Sequence, residues 1–250
     1  MKNLINNKNI IFYNPSFETG GVEKNIQAYI HHAQKLKNLN KILITLDNTN
    51  INKNLYIQYP GKIYNLKNRL IKYCISCYYL FKISLKENNV IISFQNNIFA
   101  ILVAIMTNSK IVIRLNTAPE KYANSYIKKK IFYFFYRLAN LVLVNDEDFK
   151  KSVKKYFNVD SKIIHNSVDF KKIIKKSNEK IKSSPYKKKT LIKIISVGRL
   201  TKQKNHINLL RAINELKKKE HIELVILGSG YEEQKLKNYI KLNSLKKYVK

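Results

Sequence analysis

Arginine and acid are both scarce in this 250-residue chain. Five arginines stand beside 43 lysines, and 16 acidic residues leave a formal charge of +32. The arginine fork is the side chain best suited to reading phosphates and base edges in pairs of hydrogen bonds, so its scarcity argues against a dedicated nucleic-acid reader. Lysine, asparagine and isoleucine together make up 109 residues. AT-rich codons favour these three, so part of the charge reflects codon bias rather than selection for a polyanion. Two cysteines, Cys74 and Cys77, build neither a disulfide scaffold nor a four-ligand zinc site. The longest apolar run, 98–106, is nine residues, whereas a spanning helix needs about 20. The opening MKNLINNKNIIFYNPS contains no apolar stretch of secretory-signal type. These absences predict a reduced, cytosolic protein, soluble or peripheral on a membrane.

Apolar residues, at 45%, are ample for a buried core. Their pattern alternates between two periods. Short β-branched runs at 9–13, 41–46, 90–94, 110–114, 141–144, 162–164, 191–197 and 222–227 predict strands. Stretches of helical spacing at 22–36, 68–86, 97–106, 126–139, 146–157, 203–218 and 232–242 separate most of them. Strand and helix in alternation imply crossover units, hence an α/β, doubly wound, mostly parallel sheet. Asn145, followed by Asp146, Glu147 and Asp148, reads as a capped, acid-rich helix start rather than a catalytic carboxylate pair.

The Lys- and Ser-rich stretch FKKIIKKSNEKIKSSPYKKKT breaks the alternation and reads as a linker with a short frayed helix. The expected organisation is a first domain over 1–170, a linker over 171–190 and a second unit over 191–250. Two strands and two helices cannot cover both faces of a parallel sheet. The second unit is therefore expected to stop inside a domain, with residues 246–250 starting a third strand.

Glycine is scarce too: six residues, five of them where a strand hands over to a helix. Gly20 and Gly21 follow the first strand, Gly198 follows 191–197, and Gly228 and Gly230 follow 222–227. Ligands of open parallel sheets bind at the carboxyl ends of the strands, where glycine lets backbone amides come close. In NPSFETGGVEKN the pair opens a helix whose free N–H groups suit a phosphate. Its spacing matches neither a dinucleotide fingerprint nor a P-loop, and a plain tight turn is the competing reading. The loop SVGRLTKQKN is more informative. Arg199 and Lys204 lie five residues apart beside a helix start, where two cations hold a diphosphate and stabilise the charge that grows as it leaves.

These blocks resemble the retaining nucleotide-sugar glycosyltransferases of family 4, often called group 1. The likeness covers nearly the whole chain. TGGVEKN is similar to the family's N-terminal glycine loop, and LVLVNDEDFKKSVKKYF with SKIIHNSVDF to the end of its first domain. ISVGRLTKQKNHINLLRAINEL and IELVILGSGYEEQKLKNYI resemble the opening of its second domain. The resemblance implies a GT-B fold with a nucleotide-diphosphate sugar as donor and a glycan or lipid-linked saccharide as acceptor, in cell-surface polysaccharide or lipopolysaccharide synthesis. Arg199 and Lys204 would act on the donor diphosphate, with Gly20, Gly21 and Gly198 lining its site. No metal or other cofactor is implied. The family's E-x7-E run would fall beyond residue 250. Where the first domain often carries a histidine, this chain reads RLNTAPEKY, so Arg114 and Asn116 become the acceptor-side candidates.

Cys74 and Cys77 sit mid-helix among apolar residues and read as packing rather than redox groups. His165 and His206 have no metal-ligand partners fixed by sequence. The segments 69–86 and 126–136 mix aromatic residues with lysines. They suit an anionic membrane surface, with helix core plus solvated lysine as the equal alternative. Two further readings stand beside the transferase: a catalytically inactive remnant that binds acceptor or membrane, and a basic nucleic-acid binder. Lysines spread over most helices, without an aromatic RNA-binding motif or an arginine-rich recognition helix, argue against specific nucleic-acid binding.

Overall fold

Successive residues of the first strand bury themselves on opposite faces of one sheet. The structure, a computed structural model, describes residues 8–17, 21–37, 39–49, 51–60, 66, 68–86, 89–180, 184–186, 192–217 and 221–250. In β1 (Lys8–Tyr13), Ile11 and Tyr13 enter one core and Phe12 the other. β2 (Leu39–Ile44) repeats the pattern, with Ile42 and Ile44 on the first side and Leu43 on the second. A strand buried on both faces has no polar side to show, which is why these runs are continuously apolar.

The chain divides into two compact units, residues 1–169 and 170–250. In the first, all described strands run parallel in the order β3-β2-β1-β4-β5-β6-β7. The remaining strands are β3 (Ile57–Tyr59), β4 (Asn89–Ser93), β5 (Lys110–Arg114), β6 (Leu141–Val144) and β7 (Lys162–Ile163). The register aligns Ile42, Ile11, Ile91 and Ile111 in one row across four strands. Above that row pack α2 (Arg69–Ser84), α3 (Asn97–Met106), α4 (Tyr126–Tyr136) and α5 (Glu147–Phe157). The opposite face is covered by α1 (Gly21–Ala33) through Ile26 and Ile30. The reversal of direction between β3 and β4 places the helices on the two faces, as right-handed crossovers require.

Two details differ from the sequence reading. Strand β3 is three residues long and too short to show a period. The cap of α5 is Asp146, not Asn145: its Oδ1 accepts the Phe149 N–H at 2.7 Å, and Glu147 and Asp148 occupy the first turn.

The second unit begins with α6 (Phe170–Ser177), inside the expected linker. Parallel strands β8 (Ile192–Val197) and β9 (Ile222–Leu227) follow, with α7 (His206–Leu216) and α8 (Glu233–Leu242). Val249 forms an isolated parallel bridge to Leu224, and the Lys250 carbonyl accepts the Ile226 N–H at 2.8 Å, at the position where the sequence predicts the start of a third strand. Helices α7 and α8 pack on the face carrying Ile194, Ile222 and Leu224. Ile195, Val197 and Leu227, of the opposite face, are exposed.

Candidate active site

The loops at the carboxyl ends of the strands hold the residues with chemistry, and each unit contributes a separate set. In the first unit the chain leaves β1 through Asn14, Ser16 and Phe17. Asp47, just past β2, fixes this exit. Its Oδ2 accepts from Ser16 Oγ at 3.0 Å and from the Phe17 N–H at 2.9 Å. Its Oδ1 pairs with Lys72 Nζ of α2 at 2.5 Å. Both side chains of this ion pair are largely buried. Gly20 lies outside the described residues. Gly21 is the first residue of α1, and a Cβ there would meet nothing within 4 Å.

A polar network then ties α1 to the far side of the sheet. Asn25 Nδ2 donates to Asn166 Oδ1 at 2.8 Å, and Asn25 Oδ1 accepts the Ser167 N–H at 3.1 Å. Arg114 Nη2 donates to the same Asn166 Oδ1 at 2.8 Å and to the Ile164 carbonyl at 3.1 Å. Its Nη1 donates to Tyr29 Oη at 2.8 Å, and the guanidinium lies 5.6 Å from the centre of that ring. Burial raises the pKa of the Tyr29 phenol, against the pull of the nearby guanidinium. Arg114 is 1% exposed. From there it holds the turn at Asn166 against α1. Asn116 is exposed and donates from Nδ2 to the Phe94 carbonyl at 2.9 Å, joining the loops after β4 and β5. The structure thus brings Arg114 into one network with the glycine-loop helix and the turn at Asn166. Asn116 stands outside it.

In the second unit the loop after β8 is clamped from below by the loop after β9. The Gly198 N–H donates to the Leu227 carbonyl, and the Leu200 N–H to Ser229, each at 2.9 Å. The crossing is so close that a Cβ on Gly228 would stand 1.8 Å from the Gly198 carbonyl oxygen. One on Gly230 would stand 2.3 Å from that of Leu200. Leu200 is buried and anchors the loop in the core. Arg199 and Lys204 are both exposed. Residues Lys202–Lys204 form a single 3₁₀ turn ended by Asn205 at φ 53°, and α7 starts at once. The aliphatic stem of Lys204 lies over Gly198, with Cγ, Cδ and Cε each 3.6 Å from where a Cβ would be. The result is a clamped loop carrying two exposed cations, one of them with its stem over Gly198, at a helix start. That arrangement suits an anion with several oxygens.

The remaining candidates sort by burial. His206 is buried, its Nδ1 3.4 Å from Ser196 Oγ. His165 donates from Nδ1 to the Asn145 carbonyl at 2.8 Å. Cys77 is half-buried, and burial pushes its thiol pKa up, whereas Cys74 is exposed. Sequence reasoning passed over Asp47, Asn25, Tyr29 and Asn166. Asn25 and Asn166 lie inside the two quoted motifs; Asp47 had only its place after a strand to mark it.

Residues 177–250 match the family model of the glycosyl transferases group 1. An uncharacterized glycosyltransferase of Methanocaldococcus jannaschii is 30% identical over 150 residues, 56% of this chain and 37% of that relative. The match thus spans little more than a third of the relative's length. Among solved structures, HepE of Anabaena in complex with UDP has a TM-score of 0.68 at 14% identity, covering 97% of this chain and 68% of its own. The glycosyltransferase of Rickettsia africae ESF-5 has a TM-score of 0.62 at 17% identity, covering 98% and 68%. The lipopolysaccharide outer core galactosyltransferase WaaB has a TM-score of 0.60 at 15% identity, covering 97% and 67%. At these identities the likeness shows the fold, which is the partial GT-B-like α/β class expected from the sequence.

Proposed function

We propose that this protein transfers a sugar from a nucleotide-diphosphate sugar to a glycan or lipid-linked saccharide, with retention of anomeric configuration, in the synthesis of a cell-surface polysaccharide or lipopolysaccharide. The observation that carries the reading is the clamped loop with Arg199 and Lys204, inside the segment that matches the glycosyl transferases group 1. A leaving nucleoside diphosphate gains charge as the glycosidic bond breaks. Cations held rigidly at that point stabilise the transition state more than the ground state. Arg199 offers a fork of donors to the diphosphate oxygens, and Lys204, whose stem lies over Gly198, a point charge. The reading assigns this work to side chains and places no metal or other cofactor in the step. Solved structures of similar fold with bound UDP support a nucleotide donor.

In the first unit, the carboxyl edge around Asn116 would receive the acceptor, and the resemblance assigns Gly20 and Gly21 to the donor. Arg114 acts beneath it by holding Asn166 and α1 in place. The protein is assigned to the cytoplasm, peripheral on the inner face of the membrane. Exposed Ile127, Ile131 and Phe134 on α4, beside Lys128, Lys129 and Lys130, support that position. No described helix is long and apolar enough to cross a membrane.

The test is calorimetric titration of the protein with UDP. Arg199→Ala is expected to weaken binding by roughly tenfold or more, the usual cost of a lost charged hydrogen bond. Unchanged affinity would overturn the diphosphate assignment.

A further inference from the structure

An apolar groove of about 400 Å³ runs between α2 and α3 in the first unit. Its walls are Cys74, Cys77 and Phe81 of α2, and Phe99, Val103 and Met106 of α3. At one end stand Tyr73 and Asn96, both near the carboxyl edge of the sheet, where the acceptor is placed. From Tyr73 to Phe81 the groove follows α2 for about 12 Å, at the usual helical rise. Its volume lies in the range of small-molecule sites, roughly 300–1,000 Å³, but its lining is almost wholly apolar.

Two features say what the occupant is. First, the rim is apolar and faces solvent: Tyr78 is 60% exposed, Phe99 53% and Met106 69%. Leu102 and Ile105 of α3 extend that surface. A soluble polar ligand gains nothing from such a rim; a hydrocarbon chain does. Second, the carboxyl-edge end is basic. Arg69 donates from Nε to Tyr73 Oη at 2.7 Å, and its guanidinium lies 5.4 Å from the centre of that ring. The guanidinium is thereby held at the groove mouth, on the first residue of α2, where the helix dipole also favours an anion. Neighbouring α4 repeats the pairing of ring and cation, with Lys130 over Tyr126 and Arg137 over Tyr133.

We propose that the α2–α3 groove binds the single hydrocarbon chain of an anionic lipid phosphate, with the phosphate at Arg69 and the chain laid along Cys77, Phe81 and Val103. Resting on the transferase reading above, this names the acceptor's carrier: a lipid whose phosphate sits at the groove mouth and whose saccharide extends over the carboxyl edge toward Asn116. The groove orients the reacting end by binding an unreactive part of the acceptor.

The chain's two cysteines both line the groove, so they report on its occupancy. Wild-type protein is titrated with dodecyl phosphate below its micelle concentration, without nucleotide, and the rate of modification by a charged maleimide is followed at each cysteine. Saturable protection, at least about tenfold at Cys74, is expected from dodecyl phosphate and none from inorganic phosphate. Val103→Trp, which fills the groove, is expected to abolish it. Met106→Glu, at an exposed position that leaves folding intact, is expected to weaken it by about tenfold or more by putting a charge against the chain. Protection that does not saturate, or that survives both substitutions, would overturn the groove assignment. Because UDP binding and its loss in Arg199→Ala are read separately, failure here leaves the transferase reading standing. Failure there leaves a lipid site without an assigned reaction.

Discussion

Gly228 lies directly against the carbonyl of Gly198, two loops and 30 residues away in sequence, at a separation that admits no side chain. Gly228→Ala would put a methyl 1.8 Å from that oxygen. The contact is backbone on backbone, so one loop must move, at a cost of about 1–3 kcal/mol. Gly198→Ala is the control. Its methyl would meet the Lys204 stem at 3.6 Å, an ordinary contact with a flexible chain. Thermal unfolding is expected to fall by several degrees for Gly228→Ala and to stay near wild type for Gly198→Ala. Equal effects would mean that the loops do not cross as described.

That crossing also marks the limit of what the sequence could show. Strand and helix periods located nearly every element, because runs such as LVLV are fully apolar when buried on both faces. The glycines pointed to the carboxyl edge, yet not to the reason for them: Gly228 and Gly230 serve the neighbouring loop, while among the described glycines only Gly198 underlies a candidate cation. Arg114 entered only through the resemblance, as the residue in RLNTAPEKY where the family often carries a histidine. Its burial depends on Tyr29, Ile164 and Asn166, between 50 and 85 residues away, and no local pattern carries that information. The groove was not legible because the unbroken apolar run of α3 has no polar positions to mark an outer face, and the structure exposes Phe99, Leu102, Ile105 and Met106.

At position 199 charge alone is not expected to suffice. Arg199→Lys retains the cation but loses the planar fork. If Arg199 grips two diphosphate oxygens, the lysine variant should recover only part of the UDP affinity lost in Arg199→Ala. Lys204→Arg should be tolerated better, since a point charge on a flexible stem carries less geometry. Full recovery by Arg199→Lys in a UDP titration would reduce Arg199 to a nonspecific charge.

Asn166 Oδ1 receives both Asn25 and Arg114, which makes the three side chains one unit. Arg114→Ala would strand the Tyr29 hydroxyl and the Ile164 carbonyl and open a cavity, costing about 3 kcal/mol or more. Asn25→Ala is expected to cost less alone, and the pair should fall short of additivity by about 0.5–3 kcal/mol. Denaturant unfolding of the two single variants and the double variant measures this. Strict additivity would mean that Arg114 and Asn25 act independently, and the link between α1 and the turn at Asn166 would fall.

The first unit also sets an alkaline limit on stability. Burial pushes the Tyr136 phenol up to about 12 and raises Tyr13 and Tyr122 as well, from an ordinary value near 10. A group whose folded pKa is raised binds its proton more tightly when folded. Its stabilisation is therefore complete below pH about 10 and is lost as pH climbs through 10 toward 12 and beyond. Spectrophotometric titration of the 17 tyrosines should leave a late-ionising fraction that appears together with loss of helical ellipticity. Tyr136→Phe keeps the ring against Phe157, at 5.3 Å and nearly perpendicular, but removes the ionising hydroxyl. It should move the alkaline midpoint upward. A midpoint unmoved by Tyr136→Phe would place the limiting ionisation elsewhere.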